Sequence, residues 1–215
     1  MAIQLFESVT NNSNVRLRVA MGHYATSHSH INYYVDLTMT KHRLSEAREV
    51  AAELCSHFKS TTVIDTILCL DGTEVIGACM ASELSRAGFT NMNAHRTIYV
   101  VTPEHTTGSQ LIFRENLAPM IVGKNVLVLA ASVTTGYTAL AALDAIRYYN
   151  GIPAGVCAIF SCVDVVDGFP VNAIFTKKHD LPEYVSCSAQ DCPMCKNGSK
   201  LDAMVNAYGI SSFNR

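Results

Sequence analysis

Hydrophobic residues along the chain follow two patterns that alternate and together predict an α/β fold. Residues 62–70 and 125–131 are continuous apolar runs, as expected for strands covered on both faces of a sheet. Residues 44–58 place apolar side chains on one face of a helix. The predicted strands are 14–22, 31–39, 62–70, 96–101, 125–131 and 151–161, and the predicted helices are 44–58, 74–87 and 137–149. This alternation predicts a mostly parallel central sheet flanked by helices, with ligands beyond the carboxyl ends of its strands.

Two connections in this pattern are candidates for function. Asp71-Gly72-Thr73 forms a turn after the strand 62–70, and Thr73 is the predicted N-cap of the helix that follows. Residues 102–123 form a long and mostly irregular connection. Loops of that length inside a compact domain are more often functional than idle. We therefore expect 102–123 to act as a lid.

Composition narrows the class of protein. The chain has 215 residues, 49% of them hydrophobic and 16% charged, which fits a compact globular protein with a full core. A formal net charge of −2 gives no general electrostatic reason to bind nucleic acid or an anionic membrane. No apolar run reaches the length of a membrane span, and residues 1–14 lack a signal-peptide core. We expect a cytoplasmic location and neither nucleic-acid nor membrane partners.

The loop Ser132–Thr138 lies where the strand 125–131 leads into the helix 137–149. Backbone N–H groups at the positive end of a helix attract an anion, and threonine hydroxyls add further donors. Gly136 permits a tight turn and the close approach of a ligand. The alternative is an ordinary strand-to-helix turn capped by threonine.

Three motifs carry a resemblance to a known family. VLVLAASVTTGYTA (126–139) resembles the phosphoribosyl-pyrophosphate (PRPP) signature of type I phosphoribosyltransferases. ATSHSHINYYVDLT (25–38) resembles the N-terminal substrate loop of orotate phosphoribosyltransferases, and residues 65–84 are similar to the pyrophosphate-loop segment of the family. The motifs occur in family order from about residue 15 to about residue 165.

The resemblance implies a type I phosphoribosyltransferase fold with a flexible hood, often dimeric. It implies PRPP as donor, with Mg²⁺ on its ribose and pyrophosphate, and a nitrogenous base as acceptor. By analogy, the phosphate and pyrophosphate groups would lie against Ser132, Val133, Thr134, Thr135, Gly136, Tyr137, Thr138, Gly72 and Thr73. The base would face Ser27, His28, His30, Tyr33 and Tyr34.

The chain departs from the family pattern at the end of its central strand. Ala130 and Ala131 occupy the positions where the family carries two acids that bind the ribose hydroxyls and steady the developing charge. Removing one such electrostatic contact costs about 10²–10³ in rate. The hood offers His105 and Arg114 but lacks the lysine that orotate enzymes carry there. These positions alone therefore predict that ordinary PRPP transfer is impaired.

Other side chains are candidates for the missing catalytic role. Glu74, Glu104 and His105 lie in the pyrophosphate-loop and hood segments, and Asp36 lies on the strand 31–39. Each acid also has a structural explanation, because Glu74 near a helix N-terminus satisfies the helix dipole and Asp36 can pair with a surface cation.

Four histidines that are close in sequence raise a separate possibility. They either form a shared metal or phosphate site or are separate side chains that face solvent: His23, His28, His30 and His42.

A cysteine cluster near the end of the chain indicates a metal site. Cys192-Pro-Met-Cys195-Lys-Asn-Gly198 resembles a zinc knuckle, with Cys187 and His179 as the further candidate ligands of a structural Zn²⁺. The same Cys-x-x-Cys spacing also suits a redox pair, and reduced cysteines without metal are the third possibility.

The predicted organisation is a phosphoribosyltransferase-like domain over 1–180 and a Cys-rich segment over 181–215. Residues 200–209 are the predicted terminal helix of that segment, which a zinc site would hold against the rest of the chain. The chain is then either an orotate-like phosphoribosyltransferase or a non-catalytic protein that binds PRPP or a nucleotide as a sensor. The missing acids favour binding alone, and the retained base loop and lid favour chemistry.

Overall fold

The computed structural model describes residues 6–9, 15–94, 96–106 and 110–213, and of 6–9 the backbone only. The strands are Phe6–Val9 (β1), Arg16–Ala25 (β2), His30–Asp36 (β3), Thr66–Cys69 (β4), Tyr99–Val101 (β5), Glu104–His105 (β6), Leu111–Ile112 (β7), Asn125–Val133 (β8), Ile152–Ser161 (β9), Val165–Val166 (β10), Phe169–Thr176 (β11), Ser186–Cys187 (β12), Ala203–Asn206 (β13) and Gly209–Ser212 (β14). The helices are Thr38–His42 (α1), Leu44–Ser56 (α2), Glu74–Ser85 (α3), Tyr137–Tyr148 (α4), Lys177–Asp180 (α5) and Pro193–Lys196 (α6), with a 3₁₀ turn at Ala118–Met120.

The described chain divides into two compact units. One consists of residues 40–176, and the other joins the described residues of 1–39 to those of 177–213. The second unit is therefore built from both ends of the sequence shown. The predicted division at 180/181 lies near one of these boundaries, but it leaves residues 1–39 with the larger part.

The larger unit contains a six-stranded sheet in the order β10-β11-β9-β8-β4-β5. All neighbours run parallel except β10, which pairs antiparallel with β11. Every residue of β4 is buried, as its continuous apolar run predicts. Helix α4 packs on β8 and β9. Helices α2 and α3 pack on each other, α2 also on β9 and β11, and α3 also on β4 and β5. The predicted α/β fold class, with a central sheet between helices, is confirmed.

The strand predicted over 62–70 is shorter in the structure, because a side chain replaces the sheet at its start. Buried Asn93 accepts a hydrogen bond from the Ile64 N–H at 2.8 Å and donates one to the Thr62 carbonyl at 2.9 Å. These backbone groups therefore have a partner outside the sheet, and β4 begins only at Thr66.

The smaller unit contains a sheet in the order β12-β3-β2-β13-β14, with β1 also paired to β2. Strands β2 and β3 form an antiparallel hairpin whose turn is closed by a hydrogen bond from Thr26 N–H to the Ser29 carbonyl. The register of this hairpin shifts between Met21 and Tyr24, which marks an irregularity of the β-bulge type. Bulges re-aim the side chains of the strand that carries them.

The prediction of a helix over 200–209 is wrong. These residues contribute to the antiparallel hairpin of β13 and β14. Along β13, Ala203 and Val205 are buried while Met204 and Asn206 are exposed, which is the period of a strand. The turn places Gly209 at a φ of 138°, and the Tyr208 N–H donates to the Asn206 side chain at 2.8 Å.

The segment predicted as an irregular lid contains a short antiparallel ladder. Strand β6 pairs with β7, with Glu104 opposite Ile112 and His105 opposite Leu111. Residues 107–109 of the predicted lid lie outside the described residues. Within the part of the chain that the structure describes, no helix is long and apolar enough to cross a membrane.

Candidate functional site

The threonine-rich loop follows β8 at the carboxyl edge of the parallel sheet. Gly136 has a φ of 84°, a left-handed conformation that glycine adopts without strain, and it immediately precedes α4. Its carbonyl accepts the first hydrogen bond of that helix, from the Leu140 N–H at 2.8 Å. The preceding N–H groups of a helix have no intrahelical acceptor, so they are free to bind an anion.

The side chains of this loop differ in their exposure. Val133 is buried and anchors the loop in the core, while Thr134 is half-buried and Thr135 and Thr138 are exposed. Among the described residues, the hydroxyls of these three threonines have no hydrogen-bond partner. Ser132 and Tyr137, the other predicted members of this site, are also exposed. The loop can therefore offer both hydroxyl and backbone donors to a phosphate group.

The neighbouring strand β4 ends in a turn with unusual backbone conformation. Asp71 and Gly72 have φ values of 58° and 77°, so two consecutive residues are left-handed. Thr73, predicted to cap α3 and to approach pyrophosphate, directs its hydroxyl inward. That hydroxyl donates to the carbonyls of Leu70 at 2.8 Å and Leu129 at 3.2 Å. Thr73 therefore ties the turn to β8, and its side chain makes no cap hydrogen bond.

The carboxyl group of Asp71 lies near the carboxyl end of β8, close enough to the backbone N–H of Ala131 for this group to lower its pKa. Burial raises the pKa of this carboxyl, and the charges of Lys41 and His105 together with the Ala131 N–H partly offset that effect. A carboxyl group from the turn after β4 thus lies beside the alanine pair near the carboxyl end of β8. A partly buried acid with charged neighbours at the edge of a sheet marks a candidate active site.

Lys41 completes this group. Its side chain is buried, and its Nζ donates to the Asp71 carbonyl at 2.8 Å. A Cβ atom added to Gly72 would lie 3.7 Å from the same Nζ. Sequence reasoning missed both Lys41 and the role of Asp71. The segment Thr38–His42 reads Thr-Met-Thr-Lys-His and is mostly polar, so no pattern in it indicated that Lys41 would be buried.

The other predicted catalytic candidates have partners within the same unit. Glu74 begins α3 and accepts a hydrogen bond from the Thr102 hydroxyl at 3.1 Å. Glu104 forms a bidentate pair with Arg114 at distances of 2.7–3.0 Å, and these hydrogen bonds lower the pKa of the carboxyl. Of the three candidates, only His105 contributes to the electrostatic environment of Asp71.

The predicted base-binding residues belong to the smaller unit. Ser27 and His28 are exposed at the turn of the β2–β3 hairpin. The Tyr33 hydroxyl donates to Glu183 at 3.4 Å. Tyr34 is buried, and burial together with the nearby Asp36 raises its pKa to about 12. The first two residues are thus open to a ligand, whereas the tyrosines are engaged with the fold.

The remaining base-loop residue, His30, takes part in a cluster of potential metal ligands. His23, His30, Cys192 and Cys195 place one ligand atom each within 4.8 Å of one another. The predicted set differs in two of its four members. The Cys187 sulfur lies 3.8 Å from the His30 carbonyl and belongs to a strand beside β3, but neither Cys187 nor His179 is part of this group. Sequence spacing favoured ligands near the knuckle, whereas strand pairing brings the distant hairpin to it.

The chain is similar in sequence to the orotate phosphoribosyltransferase of Chlorobaculum parvum (strain DSM 263 / NCIMB 8327). The identity is 23% over 184 residues, which cover 85% of this chain and 86% of the relative. No protein-family model matches the chain.

Two solved structures share its architecture. UMP synthase of Leishmania donovani matches with a TM-score of 0.54 and 16% identity, over 76% of this chain and 34% of that protein. Orotate phosphoribosyltransferase of Mycobacterium tuberculosis H37Rv, in complex with PRPP, matches with a TM-score of 0.51 and 17% identity, over 69% of this chain and 82% of that protein. The chain has the type I phosphoribosyltransferase fold.

This phosphoribosyltransferase fold confirms the resemblance inferred from the three motifs. The alanine pair that the sequence analysis compares with two acids lies near the carboxyl end of β8. Ala130 and Ala131 are only 2% and 4% exposed at the end of β8, so neither side chain offers a polar group to a ligand. In this phosphoribosyltransferase fold, the acid that lies beside them comes from the adjacent strand end, at Asp71.

Proposed function

We propose that the protein is a PRPP-dependent phosphoribosyltransferase of the orotate-like type, which transfers the ribose 5-phosphate group to a nitrogenous base. The observation that carries this proposal is the loop Ser132–Thr138, which presents threonine hydroxyls and the N-terminus of α4 at the carboxyl edge of the sheet. A dianionic phosphate suits such a site, because hydrogen bonds to charged acceptors are about twice as strong as neutral ones.

Asp71 supports catalysis in the absence of the acid pair. In the transfer, the base nitrogen forms a bond to the ribose carbon while the bond from that carbon to pyrophosphate breaks, and its electron pair leaves with the pyrophosphate oxygen. Positive charge develops on the ribose as this happens. A carboxylate already in place beside the Ala131 N–H stabilises that charge.

Positive groups beside Asp71 suit the departing pyrophosphate. Lys41 Nζ is held by the Asp71 carbonyl, and His105 lies close enough to act on the Asp71 carboxyl. Magnesium would be carried mainly by the oxygens of PRPP, where it neutralises phosphate charge, and Asp71 supplies a carboxylate of the kind that this ion prefers.

The first experiment is a calorimetric titration with PRPP, with and without Mg²⁺, followed by an assay of pyrophosphate release with a panel of bases that includes orotate. Thr135→Val removes an exposed hydroxyl of the loop and should weaken PRPP binding roughly tenfold to a hundredfold. Thr61→Val is the matched control, because Thr61 is equally exposed but bonds the His57 carbonyl after α2. Equal affinities for PRPP in the two variants would contradict the assignment of the loop.

A second candidate function is PRPP or nucleotide binding without turnover. The apolar, buried Ala130 and Ala131 favour it, since they leave the end of β8 without its usual charge. Tight PRPP binding without pyrophosphate release in the presence of any base of the panel would support this alternative. Release on one base would exclude it.

A further inference from the structure

We propose that His23, His30, Cys192 and Cys195 form a tetrahedral zinc site that joins the β2–β3 hairpin to the C-terminal knuckle. The site lies wholly inside the smaller unit, and it is independent of the proposed transferase activity. The four ligand atoms lie within 4.8 Å of one another, and they come from three separate parts of the chain.

The distances between these atoms match the edges of a zinc tetrahedron. Bonds of about 2.0–2.1 Å to nitrogen and about 2.3 Å to sulfur give edges of roughly 3.3–3.8 Å. His23 Nε2 lies 3.1 Å from His30 Nδ1, 3.4 Å from the Cys192 sulfur and 3.6 Å from the Cys195 sulfur. The Cys195 sulfur lies 3.3 Å from His30 Nδ1. Four of the six edges are therefore within a few tenths of an ångström of the expected values.

The outer contacts of His23 orient it as a ligand. Its Nδ1 lies 3.1 Å from the Ser199 carbonyl, an acceptor that requires this nitrogen to carry the proton. Its Nε2, the atom at the centre of the cluster, is then left with a free lone pair. Metal-binding histidines generally fix their tautomer in this way, by donating the other ring N–H to a carbonyl or carboxylate. The structure thus contains both the ligand and its supporting contact.

The knuckle has the local geometry that two thiolate ligands need. The Cys192 residue is buried, and it begins the helical turn Pro193–Lys196 that carries Cys195, with the Lys196 N–H donating to the Cys192 carbonyl at 3.1 Å. Gly198, with a φ of 76°, then reverses the chain through a hydrogen bond from its N–H to the Cys195 carbonyl at 2.9 Å. That reversal leads directly to Ser199, whose carbonyl holds the His23 ring. The turn and the histidine ligand are therefore coupled.

The hairpin directs both histidines to the same place. His30 begins β3 opposite Ala25, and His23 lies in the irregular part of β2, where the register shifts. Asp202 holds that irregularity, since it accepts a hydrogen bond from the His23 N–H at 2.8 Å and its own N–H donates to the His23 carbonyl at 2.8 Å. The position of His23 is thus determined by contacts other than those of its ring.

The role of the site is structural. Four protein ligands complete a tetrahedron and leave no open position for substrate, as in structural zinc sites in general. The ligands tie a hairpin near residue 25 to a segment more than 160 positions later in the sequence. Because a metal that binds only the folded form stabilises it, zinc should hold these two parts of the smaller unit together.

The test measures metal directly in the purified full chain, without any phosphorylated ligand. Elemental analysis should find about one zinc per chain. Cys195→Ser should lower zinc affinity at least tenfold in competition with a chelator, because it removes an exposed ligand with little effect on the core. Cys187→Ser and His28→Gln are the matched controls, and both should retain the metal, because they change a nearby cysteine and a nearby histidine outside the cluster.

Cobalt(II) substitution gives a second readout that does not depend on stability. The wild-type chain should show the visible bands of a tetrahedral site and thiolate-to-cobalt charge transfer, and Cys195→Ser should lose about half of the charge-transfer intensity. A chain that binds neither zinc nor cobalt would overturn the proposal. So would a Cys187→Ser variant that loses metal as fully as Cys195→Ser, or a zinc-free protein isolated with a Cys192–Cys195 disulfide.

Discussion

Replacing Asp71 by asparagine tests the catalytic role of the carboxyl group that lies beside the alanine pair. The substitution removes one charge and keeps the size of the side chain, and the amide oxygen remains an acceptor near the Ala131 N–H. If one ribose hydroxyl separates the carboxylate from the reacting carbon, the two lie about 5 Å apart. At an effective dielectric constant of about 20, the lost attraction is about 3 kcal/mol. Pyrophosphate release should therefore fall by roughly 10²-fold, while PRPP binding changes much less.

The same substitution should leave the fold at least as stable. Burial raises the pKa of Asp71, so between its unfolded and folded pKa values the native state binds more protons than the unfolded state. The protonated Asp71 side chain consequently adds to the free energy of unfolding at low pH, and this contribution is lost as the pH rises through the folded pKa. Asparagine carries no charge to desolvate, so thermal unfolding at pH 7 should occur at an equal or higher temperature than in the wild type.

The comparison variant is Asp144→Asn, which changes an exposed acid on α4 paired with Arg147. It should affect neither pyrophosphate release nor thermal stability, because exposed ion pairs contribute little. An Asp71→Asn variant with wild-type turnover would refute the catalytic role. A marked fall in its unfolding temperature would instead refute the electrostatic reasoning, because it would show that the charged carboxylate stabilises the fold.

Two further substitutions test the structural basis of the site. Gly136→Ala puts a residue with a side chain into a backbone conformation with φ of 84°, and its Cβ would lie 3.2 Å from Val166. The variant should lose about 1–3 kcal/mol in the free energy of unfolding and bind PRPP more weakly. Gly123→Ala, at a φ of 66° with no atom within 4 Å, should show the backbone strain without the loss of binding. Asn93→Ala should lower the free energy of unfolding, measured by chemical denaturation, by about 2–4 kcal/mol, because it leaves the buried Ile64 N–H without its acceptor. A loss below about 1 kcal/mol would mean that water replaces the side chain.

The parts of the site that are contiguous in sequence were predictable, since their geometry depends on neighbours only. The loop around Gly136 is an example, because a buried strand, small polar residues and a helix in that order leave few conformations. Asp71 was treated only as a turn residue. Its importance depends on the parallel pairing of β4 with β8, which brings it to Ala131 across the sheet.

The cysteine cluster shows why non-local partners were harder to predict. Cys192 and Cys195 were identified from their spacing, but His23 joins them only because the register of β2 shifts beside it. No periodic pattern encodes such a shift. The helix prediction for the terminal segment is wrong for a related reason. Leu201, Met204 and Val205 also fit one face of a helix, and the segment forms a hairpin because β13 pairs with β14 and β2.

The discontinuous make-up of the smaller unit has a consequence for synthesis. Residues 40–176 are continuous in sequence, so this unit can fold as soon as it has left the ribosome. The β2–β3 hairpin is made earlier, yet β12, β13 and the knuckle that complete its sheet are made only after residues 40–176. During translation the hairpin therefore exposes unpaired strand edges until the segment after residue 176 is made, and chaperone contact or premature aggregation would be concentrated in that interval.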